Sequence, residues 1–199
     1  MIPTRAFALA AVAGLVAPAC GLAQRTSTDS ARCPTPSETR AVAPGLTGRI
    51  AYISPGAERV PLDCYGVFVM NADGSGLRRV TGPPVRIHFS VAWSPDGRTI
   101  AFSGDCGPTE RYGICLLDAD GTNLRPVAHG PNTSEPAWSP DGKRLAFGRA
   151  RPEDKQKSDL YTINADGTDE RRITDERGSS YSPAWSPDGK WIAFNNMDG

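Results

Sequence analysis

Histidine is scarce in this chain: its 199 residues hold two, His88 and His129. Neither sits in a local nucleophile motif, and no G-x-S-x-G, H-E-x-x-H or phosphate-loop pattern occurs. The common local signatures of hydrolases, zinc proteases and nucleotide-binding enzymes are therefore missing, and the expectation is a non-enzymatic chain without a cofactor. Net charge is lacking too. Lys and Arg total 22 against 22 Asp and Glu, a formal charge of +0, so bulk electrostatics favours neither nucleic acid nor an anionic membrane. Long apolar runs are confined to the N-terminus. There Arg5 precedes a run of 12 residues from Ala6 to Ala17, too short to span a bilayer with ease. It has the form of an export signal, with Gly21-Leu22-Ala23 placing cleavage before Gln24. The rival reading is lipid attachment at Cys20, since Ala17-Pro18-Ala19-Cys20 is a poor version of the lipoprotein box. No later stretch suits a stable membrane span.

Export changes what the cysteines mean. Cleavage after Ala23 leaves four: Cys33, Cys64, Cys106 and Cys115. An even count in an oxidising compartment implies disulfides, and four cysteines allow three pairings. No C-x-x-C or zinc-ligand spacing is present, so no metal site is expected. Cys106 ends one strand pattern and Cys115 lies in the next, which favours Cys106–Cys115. Cys33–Cys64 then ties the N-terminal segment to the first repeat. Residues 24–46 are rich in Ser, Thr, Pro and Arg without apolar periodicity, the composition of a flexible linker.

Beyond residue 47 the sequence repeats. Trp93-Ser-Pro-Asp96-Gly97, Trp138-Ser-Pro-Asp141-Gly142 and Trp185-Ser-Pro-Asp188-Gly189 are spaced 138−93 = 45 and 185−138 = 47 residues apart. Between them recur Asn71-Ala-Asp-Gly74, Asp118-Ala-Asp-Gly121 and Asn164-Ala-Asp-Gly167. A period of 40–50 residues in a β-rich chain points to propeller blades. Each unit shows four short patterns of period 2. Strand a ends at the Trp. Strand b carries Ile50/Tyr52, Ile100/Phe102, Leu145/Phe147 and Ile192/Phe194. Strand c is Val67–Met70, Ile114–Leu117 and Leu160–Ile163. Strand d is expected over Leu77–Thr81, Leu124–Ala128 and Arg171–Thr174. In Ser-Pro-Asp-Gly, Pro presets the second position of a type I turn, Asp suits the third, and Gly takes the left-handed conformation that closes a bulged hairpin. The stretch from Asp118 to Asn123 also matches the opening of a calcium loop, but it lacks the distal Glu and flanking helices.

The pattern Trp-Ser-Pro-Asp-Gly-(Lys/Arg)-x-(Ile/Leu)-Ala-Phe over Trp93–Phe102, Trp138–Phe147 and Trp185–Phe194 resembles the repeat of TolB-like β-propellers, which are related to WD40 blades. The runs Val69–Thr81, Leu116–Ala128 and Thr162–Thr174 carry the rest of the likeness. The resemblance implies an all-β fold of four-stranded antiparallel blades over residues 47–199. Counting patterns gives two full blades flanked by partial ones, an incomplete ring that is either a fragment of a longer protein or an open arc with exposed edges. The implied setting is periplasmic or secreted. The implied role is a protein- or peptide-binding scaffold in the cell envelope. A second implied role is the regulatory propeller of a prolyl-oligopeptidase-type serine hydrolase whose catalytic domain is not in this sequence. Unpaired strand edges would also allow self-association.

Loop lengths separate two faces. Trp to the strand-b Phe is always nine residues (102−93, 147−138, 194−185), so the a–b turns are uniform. The d–a connections vary, with 93−81 = 12, 138−128 = 10 and 185−174 = 11, and the b–c connections vary with them. Binding residues concentrate on variable loops held by a rigid scaffold. The binding candidates there are His88, Glu135 and Tyr181 near the start of strand a, and Arg149, Arg151, Lys155 and Lys157 in the third b–c loop. Trp93, Trp138 and Trp185 are expected to pack between blades.

Overall fold

A computed structural model describes residues 47–54, 65–82, 85, 87–106, 112–175 and 177–197. Thirteen strands are present among them, and no helix. Blade A holds β1 (Arg49–Ser54), β2 (Gly66–Asn71) and β3 (Arg78–Arg79). Blade B holds β4 (Ile87–Trp93), β5 (Thr99–Gly104), β6 (Gly113–Asp118) and β7 (Arg125–His129). Blade C holds β8 (Ser134–Trp138), β9 (Arg144–Ala150), β10 (Ser158–Asn164) and β11 (Arg171–Arg172). Blade D holds β12 (Ser179–Trp185) and β13 (Ile192–Met197). Every pairing is antiparallel between neighbours in sequence. The expected blades are all there.

The core lies between blades, and the period-2 pattern explains why. Strand β5 sends Ile100 and Phe102 into a cluster with Val67 and Val69 of blade A, and Ala101 into a second with Leu145 and Phe147 of blade C. Strand β6 divides likewise: Cys115 and Leu117 go one way, Ile114 and Leu116 the other. A strand buried on both faces needs apolar residues at successive positions, which is how Ile114 to Leu117 reads. Trp93 packs on the first cluster and Trp138 on the second. Trp185 donates its indole N–H to the Ala137 carbonyl at 3.2 Å, across the junction of blades C and D. The three tryptophans thus serve the blade junctions.

The a–b turns behave as their chemistry requires. Gly97, Gly142 and Gly189 have φ of 65°, 69° and 70°, a region costly for residues with a Cβ. In each turn the Ser hydroxyl donates to the Asp carboxylate at 2.6 Å. The same hydroxyl accepts the N–H that opens strand b, from Thr99, Arg144 or Trp191. In the c–d turns Asp73, Asp120 and Asp166 accept both the N–H and the hydroxyl of Ser75, Thr122 and Thr168. Asp118 is engaged by Asn123 at 2.7 Å. These carboxylates are occupied in shaping turns.

Two outer strands are shorter than expected. β3 and β11 have two residues each, against Leu77–Thr81 and Arg171–Thr174 from the pattern. The ladder runs on by one bond, Val80 N–H to the Val67 carbonyl and Ile173 N–H to that of Leu160. A threonine hydroxyl then takes the next position. Thr81 accepts the Val67 N–H at 3.0 Å, and Thr174 the Leu160 N–H at 2.9 Å. Blade B has Ala128 at that place, and there backbone pairing continues to His129.

Cys106 and Cys115 form a disulfide, and both are buried in the A–B cluster. Cys33 and Cys64, the other expected pair, lie outside the described residues.

Candidate functional site

The b–c and d–a loops gather at one end of the strands, opposite the uniform turns. In blades B, C and D, strand a enters from this end through a β-bulge. Register shifts fall between His88 and Val91, Ser134 and Ala137, and Tyr181 and Ala184. Glu135 and Ser182 take positive φ there, 56° and 52°. A bulge detaches an N–H from its own sheet, and that N–H needs an acceptor. The preceding blade supplies it. Glu135 N–H bonds to Ser90 Oγ at 2.9 Å, and Ser182 N–H bonds to Glu135 Oε2 at 2.5 Å. Ser90, Glu135 and Ser182 each stand three residues before their Trp, so one position builds a ladder from blade B through C to D. Sequence reasoning marked Glu135 as a binding candidate and missed this ladder. The only signal was a polar residue three positions before each Trp.

The third b–c loop is held by a buried charge network. Asp159, fully buried on β10, receives Arg151 Nη2 at 2.8 Å and Arg172 Nη2 at 2.5 Å. Arg151, 8% exposed, also donates to the Gly178 carbonyl of the C–D connection at 2.8 Å. Arg172 reaches Glu153 at 3.0 Å. Arg149 stacks 3.9 Å from the Tyr161 ring centroid, pairs with Glu170 at 2.7 Å, and donates to the His129 carbonyl of blade B at 3.0 Å. Both arginines therefore join loops to neighbouring blades. Beyond Arg151 the loop closes a turn in which Lys157 N–H donates to the Asp154 carbonyl at 3.0 Å. Lys155 is exposed on that turn and Lys157 half-buried. Tyr181 is half-buried on β12 opposite Asn195, and the backbone of His88 on β4 pairs with Ser103 of the neighbouring strand β5. The structure brings Glu135 beside Ser182, next to Tyr181, and places Arg151, Lys155 and Lys157 in the third b–c loop, whereas Arg149, expected there, belongs to strand β9, paired opposite Asp159.

On the opposite face the turn aspartates are held below the usual carboxylate range. For Asp96, Asp141 and Asp188 the serine hydroxyl is the main cause and the backbone N–H two residues on the next. For Asp73, Asp120 and Asp166 the neighbouring Ser or Thr does the same. They are acceptors fixed in the ionised form.

A family model of the TolB β-propeller domain matches residues 45–199, the whole of the repeat region. The chain belongs to the TolB β-propeller family. Its fold is similar to putative TolB from Agrobacterium tumefaciens, at 27% identity and a TM-score of 0.58, over 67% of this chain and 47% of that one. TolB from Acinetobacter baumannii is similar at 27% identity and a TM-score of 0.60, over 75% of this chain and 36% of that one. The chain thus spans less than half the length of either relative. A prolyl endopeptidase structure shares the fold alone, at 15% identity and a TM-score of 0.56 over 83% of this chain and 26% of that one. Comparison with curated proteins gave no match.

Proposed function

We propose that this TolB-family chain is an exported, non-catalytic scaffold that binds a protein or peptide of the cell envelope through its variable-loop face. The observation that carries the reading is the buried Asp159 network. It spends Arg151 and Arg172 on holding the third b–c loop and leaves Lys155 at the tip, directed outward. A loop braced by buried ion pairs presents its tip without first having to be ordered, which lowers the cost of binding. Export fits the disulfide in blade B and the N-terminal sequence pattern.

The experiment compares two pairs of substitutions in the full-length protein, each assayed by capture from envelope extract. Lys155→Ser with Lys157→Ser should weaken capture and reduce its salt dependence, since peripheral charges act mainly on association rate. Lys143→Ser with Lys190→Ser, both exposed on the uniform face, should change neither. Arg149 and Arg151 are kept, because their loss would disturb the loop itself. Equal loss from both pairs would refute the assignment of the face.

A further inference from the structure

Successive blades repeat one junction on the uniform face, yet fill it differently. At the A–B junction two arginines cross over. Arg49 of blade A places its guanidinium 4.8 Å from the Trp93 ring centroid and donates to the Gly97 carbonyl. Arg78 donates to the Ala119 carbonyl at 2.5 Å. The repeat puts Thr99 and Arg125 at the matching positions of blade B. Thr99 is too short to cross. Arg125 stays at home, 3.8 Å from Asp118 and 3.3 Å from the Asn123 carbonyl. Asp118 stands where blades A and C have the neutral Asn71 and Asn164.

An open cleft of about 450 Å³ lies at the B–C junction, lined by Asp96, Thr99, Arg125, Trp138, Asp141 and Gly142 among others. The glycines record the difference. A Cβ on Gly97 would meet Arg49 Nη2 at 2.9 Å, whereas one on Gly142 would find Pro95 Cδ nearest, at 3.8 Å. So the place beside Gly97 is filled by a guanidinium, and the equivalent place beside Gly142 holds none.

We propose that the B–C cleft is an anchor site for an arginine side chain of a partner polypeptide. Its guanidinium sits over Trp138 as Arg49 sits over Trp93, with the Asp96 and Asp141 carboxylates at the rim. A guanidinium suits the site better than an ammonium because it is planar, stacks on an indole and still presents donors at its edge. This site is on the face opposite the variable loops and stands apart from the binding role proposed there.

The test uses the full chain labelled with ¹⁵N-tryptophan and follows the indole N–H resonances during titration with acetyl-arginine-amide. The Trp138 resonance should move saturably. That of Trp93, already covered by Arg49, should not. Acetyl-lysine-amide should bind more weakly, and the neutral isostere acetyl-citrulline-amide weakest of all. Thr99→Arg supplies the guanidinium in cis, and should reduce affinity for the arginine compound by about tenfold or more while raising the melting temperature. Thr99→Met, of similar reach without charge or donors, should not raise it. Asp118→Asn, which frees Arg125 to cross as Arg78 does, should also weaken binding. A Trp138 resonance that stays still, equal movement of Trp93, equal binding of citrulline, or unchanged binding by Thr99→Arg would each overturn the proposal.

Discussion

At the scale of single residues, the turn aspartates link sequence, structure and pH. Each is a carboxyl whose folded pKa lies below its unfolded one, because a hydroxyl and a backbone N–H favour the charged form. The stability such groups contribute is complete above the unfolded pKa, near 4, and is lost as pH falls through the lowered folded value. The melting temperature should therefore be level from neutrality down to about pH 5 and fall below that. Asp141→Asn keeps an acceptor for Ser139 but cannot titrate, so its melting curve should fall less steeply in acid. An acid limb identical to the parent's would contradict this. Asp159 is a different case. Removing it by Asp159→Ala strands Arg151 in the interior and should cost about 3–5 kcal/mol in urea unfolding. Lys155→Ser, on the exposed tip of the same loop, should stay within about 0.5 kcal/mol. The sequence made the turn aspartates legible through their fixed place between Pro and Gly. It did not distinguish Arg151 from Lys155, because burial of one charge depends on Asp159, eight residues away and across a hairpin.

At the scale of elements, a strand's length is decided by what satisfies its neighbour's amide. Thr81 and Thr174 end their outer strands by offering a hydroxyl where the next carbonyl would stand. Thr174→Val keeps the shape and removes the acceptor for Leu160 N–H. The expected cost is about 1–3 kcal/mol, the penalty of an unsatisfied donor, with faster amide exchange at Leu160. A change near zero would show that water takes over the bond. The repeated Thr is visible in the sequence as the end of the strand pattern, but a hydroxyl and a backbone carbonyl are indistinguishable to a period-2 reading, which therefore extends the outer strands too far. The bulge in strand a was hidden for a related reason. It needs the side chain of the preceding blade, and a pattern read within one repeat has no access to its neighbour. The disulfide is easier, since its cysteines flank one hairpin. Replacing both Cys106 and Cys115 with Ala should remove about 2–3 kcal/mol in the chain-entropy view, with the loss of exchange protection concentrated in blade B.

At the scale of the molecule, the blades form a laterally fastened array. Apolar clusters lie between blades; bonds donated by Arg49, Arg78, Arg149 and Trp185, and the one Glu135 accepts from Ser182, cross from one blade to another, and Arg151 donates into the C–D connection. Stability in such an array comes from nearest-neighbour interfaces. Among the described residues β13 pairs only with β12, and Trp191 and Met197 are 75% and 61% exposed. An apolar strand with an unpaired edge recruits other strands. The 199-residue polypeptide, without residues 1–23, should therefore associate as its concentration rises in sedimentation velocity. A monomer at all concentrations with one sharp melt would contradict that expectation.

The proposed binding at the variable-loop end has a direct test: hydrogen exchange read by mass spectrometry, on the protein alone and with its captured envelope partner. New protection is expected in the connections around Lys155 and Tyr181, with the a–b turns of blades C and D unchanged. Protection confined to those Ser-Pro-Asp-Gly turns, with the loops exchanging as before, would contradict it.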